Sequence, residues 1–119
     1  MPNHVSPMIH VPDVRAAVSW YERLGFRVLE TFDDGAGGLS FGILTFGDSR
    51  IMLNQGGHSS TSVRREVDLY VYTDDLEEHH ARLQESVPIL EPLHDTDYGM
   101  REFIVRDLNG FWITFGRDV

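Results

Sequence analysis

The sequence predicts an α+β domain in which a β-α-β-β-β unit is laid down twice, and three observations predict it. The two halves align at one offset without a gap, each half carries the same order of elements, and turn residues bound each element. The helix-opening pair Asp13-Val14 returns as Asp75-Leu76, and the step from 13 to 75 is 62 residues. The same step carries Val5 to Val67, Ile9 to Val71, Phe41 to Phe103, Ile43 to Val105 and Ile51 to Ile113. One apolar match is weak because apolar residues are common; the shared order of elements argues for duplication.

In the first half, Val5 to Val11 reads as an extended segment closed by Pro12-Asp13. Asp13 is a candidate N-cap, since its carboxylate can accept the free amide hydrogens of a first helical turn. Val14, Ala17, Val18, Tyr21 and Leu24 recur at helical spacing, and Gly25 supplies the left-handed residue on which helices often end. Phe26 to Phe32 is a second strand. Asp33-Asp34-Gly35-Ala36-Gly37-Gly38 is a turn or a loop over a groove, and Gly47-Asp48 turns between strands Leu39 to Phe46 and Arg50 to Asn54. Gln55 to Arg65 is Gly/Ser-rich and without periodicity, a linker. The second half repeats the order: strand Val67 to Thr73, helix Asp75 to Glu85 with Leu76, His80 and Leu83 on one face, and a segment punctuated by Pro88, Pro92 and Gly99. Strands Arg101 to Asp107 and Phe111 to Phe115 then flank the hairpin signal Asn109-Gly110. The expected organisation is one domain over 1–119, with repeat 1 near 1–56, a linker at 57–65 and repeat 2 near 66–119.

Composition narrows the function. A 119-residue chain with 41% hydrophobic and 24% charged residues is globular, which excludes disordered and collagen-like classes. Ten basic against nineteen acidic side chains leave a net charge of −9, which repels phosphate backbones, so no nucleic-acid partner is expected. The absence of cysteine excludes disulfides, thiolate zinc sites and a Cys nucleophile. Met1-Pro2-Asn3-His4 has no basic patch before an apolar run, and no apolar stretch approaches the ~20 residues of a membrane helix. The expectation is a cytoplasmic protein without membrane partners.

With the repeat laid out, the chain resembles the vicinal oxygen chelate superfamily of glyoxalases, extradiol dioxygenases, fosfomycin-inactivating enzymes and bleomycin-resistance proteins. The resemblance is carried by Val11-Pro12-Asp13-Val14 leading to Trp20-Tyr21 and Leu24-Gly25-Phe26. Arg101-Glu102-Phe103 and Asp107-Leu108-Asn109-Gly110 carry it at the other end, so it spans essentially the whole chain. The family's turn usually reads Asp-Pro-Asp-Gly-Asn; Leu108, Asn109 and Phe111 depart from that pattern while preserving a turn. The resemblance implies curved mixed sheets with a cleft, and a metal held by one side chain from the first and last strand of each repeat, typically His and Glu. Those positions fall on Ser6, Met52, Asp68 and Thr114. Hydroxyls are weak neutral ligands and a thioether suits soft ions, so only Asp68 would serve a hard divalent ion. The departure argues against ordinary metalloenzyme chemistry, and neither a metal, another cofactor nor a catalytic residue is expected.

The histidines do not restore a ligand set. His10 shares the strand face of Ser6, whereas His79 and His80 are helix neighbours pointing apart, and His4, His58 and His94 lie near a terminus, in the linker and in a loop. Ser59, Ser60 and Ser62 lack a nucleophile-elbow pattern, and Gly35, Gly37 and Gly38 make no phosphate loop. On the alternating pattern Tyr70 and Tyr72 share the face of Asp68, and Trp112 that of Thr114. His10, Met52, Asp68, Tyr70, Tyr72, Trp112 and Thr114 are therefore the candidate ligand-binding residues, or in part core residues beneath the helices. Aromatic faces with a carboxylate suit a planar, partly cationic small molecule. Arg101 is a candidate anion anchor or a surface ion-pair partner, and Trp20 or Phe111 a candidate interface residue.

Two function classes follow. The first resembles the bleomycin-resistance branch: a homodimer sequestering a planar or cationic compound, such as a glycopeptide antibiotic, without metal. The second is a metal-dependent lyase, isomerase, dioxygenase or thiol transferase with an atypical ligand set built on His10 and Asp68.

Overall fold

In the computed structural model, which describes residues 4–60, 63 and 65–119, the chain reads β1 (Met8–His10), α1 (Val14–Leu24), β2 (Arg27–Asp33), β3 (Leu39–Phe46), β4 (Ser49–Asn54), β5 (Asp68–Tyr72), α2 (Leu76–Leu83), β6 (Ile89–Asp95), β7 (Met100–Arg106) and β8 (Trp112–Asp118). The expected α+β duplication is present. Each half forms a four-stranded mixed sheet, in the order β1-β4-β3-β2 in the first and β5-β8-β7-β6 in the second. In both, the first strand runs parallel to the last and the remaining pairs are antiparallel. Contacts divide the chain into two compact units, Met1–Ser59 and Ser60–Val119. The leader reading on Met1-Pro2-Asn3 and the linker residues Thr61, Ser62 and Arg64 lie outside the described residues.

In the first unit, one sheet face carries Ile9, Leu44, Ile51 and Leu53, all buried, and α1 contacts β2, β3 and β4. Val14, Ala17, Val18, Tyr21 and Leu24 are buried as their spacing predicts. Gly42 lets the helix approach, since a Cβ there would sit 3.0 Å from Val18 Cγ2. Asp13 caps α1 by accepting from the Ala16 amide at 3.1 Å, and Gly25 closes it with φ 117°. Trp20 is also buried, edge-on to Tyr21 at 5.2 Å, so the helix buries a wider stripe than the spacing indicated and Trp20 is not an interface residue. Asp34 organises the glycine-rich β2–β3 loop by accepting from the Ala36 and Gly38 amides at 2.7 and 3.0 Å. These backbone donors favour its charged form and lower its proton affinity.

In the second unit, Val71, Phe103, Val105, Ile113 and Phe115 are buried, with Phe103 and Phe115 stacked at 4.9 Å. Helix α2 is shorter than its pattern suggested and buries only Leu76 and Leu83. Asp75 makes no side-chain cap; Thr73 Oγ1 accepts from the Asp75 amide at 3.2 Å instead. The β7–β8 turn is also built differently from the expected two-residue hairpin. Asp107, buried, accepts through Oδ1 from the Asn109 and Phe111 amides, each at 2.8 Å. Only Gly110 is left-handed, with φ 92°, so the mirror-image turn that needs two such residues does not form. Phe111 is buried beneath the Arg65 guanidinium, 4.4 Å from its ring centroid, which removes it as an interface residue.

Candidate functional site

The strand register of the second unit sorts its side chains by chemistry. Parallel pairing sets Asp68 beside Trp112 and Tyr70 beside Thr114, and antiparallel pairing adds Ile104 beside Thr114 and Glu102 beside Gly116. These residues alternate with Val71, Phe103, Val105, Ile113 and Phe115, which are buried. The non-helix face bounds a cavity of about 530 Å³, lined by Asp68, Tyr70, Glu91, His94, Thr96, Asp97, Tyr98, Glu102, Ile104, Trp112 and Thr114.

Glu102 organises this cavity. It is 4% exposed, and its two oxygens accept from two phenols: Tyr70 Oη donates to Oε2 at 2.6 Å and Tyr98 Oη to Oε1 at 2.8 Å. Burial, reinforced by the adjacent Glu102 carboxylate, pushes the Tyr70 phenol well above its ordinary value of 10.0. The hydrogen bond to Glu102 raises Tyr98 in the same direction. Both phenols therefore act as donors. The Tyr70 ring lies across Gly116, where a Cβ would collide with the phenol oxygen. Tyr72 stacks at a tilt on Tyr70, centroids 4.6 Å apart.

Arg101 and Arg117 of this sheet take the opposite face. Arg101 Nε donates to Asp95 Oδ1 at 2.6 Å and its Nη1 to Glu77 Oε2 at 3.0 Å, and Arg117 also pairs with Glu77. Arg101 is thus occupied in an ion-pair network beside α2, and the anion-anchor alternative is set aside. The cavity lining has four carboxylates and no Lys or Arg.

Of the seven candidates, the cavity brings together Asp68, Tyr70, Trp112 and Thr114. Tyr72 is 75% exposed beside it and does not line it. His10 and Met52 belong to the first unit. There Met52 pairs with Met8 in parallel register, and His10 Nδ1 lies 2.9 Å from the Gln55 carbonyl, a distance at which it donates when protonated. Glu102, Glu91, His94, Asp97, Tyr98, Thr96 and Ile104 complete the lining and were not singled out from the sequence. The 62-residue step did not mark them: it matches Phe103 to Phe41, but Phe103 is fully buried whereas Phe41 is half-buried and alternates with buried Gly42 and Leu44. Strand β3 therefore corresponds to β7 at a step of 61, and Phe41 lies on the other face.

The donors at the family's metal positions do not fit a hard divalent ion. Ser6 and Thr114 offer neutral hydroxyls, Met52 a thioether, and only Asp68 a carboxylate. Among the described residues no three His, Asp or Glu side chains gather into a metal site. No described helix is long and apolar enough to cross a membrane.

Comparison with known proteins places this architecture. The model of the Glyoxalase/Bleomycin resistance protein/Dioxygenase superfamily matches residues 2–115, and the chain belongs to that superfamily. No curated protein matches the sequence. Among solved structures, TioX from Micromonospora sp. ML1 is 27% identical, with a TM-score of 0.80 over 99% of this chain and 100% of that one. A protein of unknown function from Agrobacterium tumefaciens str. C58 is 25% identical, with a TM-score of 0.76 over 100% of this chain and 96% of that one. A bleomycin-binding protein, solved in complex with bleomycin, is 19% identical with a TM-score of 0.76, over 99% of this chain and 100% of that one. At that identity the likeness is one of fold.

Proposed function

We propose that the protein is a cytoplasmic small-molecule binder that sequesters a planar or cationic compound, such as a glycopeptide antibiotic, without metal and as a homodimer. One observation carries the reading: a cavity of about 530 Å³ has the rings of Tyr70, Tyr98 and Trp112 on its walls, with four carboxylates and no Lys or Arg. Aromatic faces attract cations and stack on planar groups, and the predominantly acidic lining adds charge attraction. Asp68, Tyr70, Trp112 and Thr114 supply the contacts in this cavity and Tyr72 flanks it, while His10 and Met52 are ligand-contact candidates on the first unit's own sheet. That sheet leaves Met8, Leu29 and Phe32 exposed, apolar area available to self-association.

Calorimetric titration of the purified protein with bleomycin, with and without chelator, tests the reading. Saturable binding that is unchanged by chelator and weakened about tenfold by Trp112→Ala is expected. Binding that requires added Zn, Mn or Fe, or turnover of the ligand, would overturn it.

A further inference from the structure

Glu102 carries an inference that rests on this binding reading and deepens it. A carboxylate has about four lone-pair sites, and the two phenols occupy one on each oxygen, so one on each remains open. Both donors are neutral, and no cation pairs with Glu102 among the described residues. A buried carboxylate without a countercharge is unfavourable, and Arg101 and Arg117, the chain neighbours of Glu102 and of its cross-strand partner Gly116, are committed to Glu77 and Asp95 on the far face. A second observation is independent of the first. Thr114 is 8% exposed, lines the same cavity, and makes no side-chain hydrogen bond to any described residue. A hydroxyl left so is an open partner for a ligand atom.

The geometry points to Glu102 as the counter-ion for an aromatic ligand bearing an amidinium or guanidinium group, with Thr114 Oγ1 hydrogen-bonding the same ligand. Such a cation presents two parallel N–H groups, which match the one open lone pair on each Glu102 oxygen. Its planar body suits the Trp112 ring that shares the cavity. The phenols of Tyr70 and Tyr98 then act as positioning groups, fixing the carboxylate before the ligand arrives.

Three probes separate charge from hydrogen bonding: benzamidinium, phenyltrimethylammonium, which is a cation without N–H groups, and neutral benzamide. Titrations on the wild-type chain, read from the indole N–H resonance of Trp112, should rank benzamidinium about tenfold tighter than either of the others. Glu102→Gln removes the charge and keeps one acceptor oxygen, so one phenol must turn to accept from the new amide, and the variant should bring benzamidinium to the level of benzamide. Thr114→Val should weaken benzamidinium by roughly fivefold. Equal binding of all three probes to the wild type overturns this inference and leaves the binder reading standing, and the wild-type ranking needs no variant to fold. Persistence of the benzamidinium preference in Glu102→Gln also overturns it. If none of the three moves the Trp112 resonance while bleomycin does, the inference falls alone; if bleomycin fails as well, both fall.

Discussion

The two units pair one sheet with one helix, yet they hold that helix by different means. Helix α1 buries Val14, Ala17, Val18, Trp20, Tyr21 and Leu24, is capped by Asp13 and ends on Gly25. Helix α2 buries only Leu76 and Leu83 and has no side-chain cap. Its attachment is supplemented by Glu77, which bridges Arg101 and Arg117, and by rings: His79 lies 5.6 Å from Phe115 and His80 lies 5.1 Å from Phe103. Part of the apolar area has been exchanged for charge. The exchange has a functional side, because it draws both arginines to the helix face and leaves acids lining the cavity on the other.

The contrast predicts a ranking. Tyr21→Ala should cost the most, about 3–5 kcal/mol from cavity formation at a fully buried aromatic, read from the urea midpoint. Leu83→Ala, at an equally buried position of α2, should cost about 2–5 kcal/mol. If both helices rely on packing alone, molar salt will leave hydrogen-exchange protection in α1 and α2 alike; the ion pairs of Glu77 predict that α2 loses protection first.

Acid should discriminate the helices in the same direction. Burial lowers the proton affinity of folded His79 below the ordinary histidine value of 6.5. The unfolded chain therefore takes up that proton first, and stability present above pH 6.5 declines as pH falls below it. Arg117 and Arg101 hold Glu77 at about 2 rather than 4.5, so its contribution is full above 4.5 and is lost as pH falls through about 2. Protection of α2 should thus fall in two stages, and His79→Phe should remove the upper one. The smallest effects concern the caps: Asp13→Ala should cost about 1 kcal/mol, whereas Asp75→Ala should be near neutral in thermal melts.

What the sequence revealed follows the same division. Local signals were legible where one residue does one job: Asp13 caps and Gly25 turns left-handed. The 62-residue step matches β1 and β4 to β5 and β8, whereas β3 matches β7 at 61, so the expected pairs Phe41–Phe103 and Ile43–Val105 lie on opposite faces. Asp75 shows the limit, since the same letter at the equivalent position leaves its side chain uncommitted to the cap. Four of the eleven lining residues were legible, because Asp68, Tyr70, Trp112 and Thr114 lie on strands whose period of two fixes their face. Tyr98 was not, because it sits in the β6–β7 turn and reaches Glu102 by a path that no periodicity encodes. Glu102 was hidden differently: its neighbours Arg101 and Phe103 made it legible as scaffold, and only the phenols converging on it mark it as part of a site.

The bare Cα of Gly116 has a consequence for engineering. Tyr70 can lie flat only while position 116 carries no side chain, so even Ala there tilts the ring off the sheet and strips a donor from Glu102. One methyl group on strand β8 would therefore retune the volume and polarity of a chamber whose walls it never joins. Residue 116 is a hidden dial for altering which compounds the protein accepts.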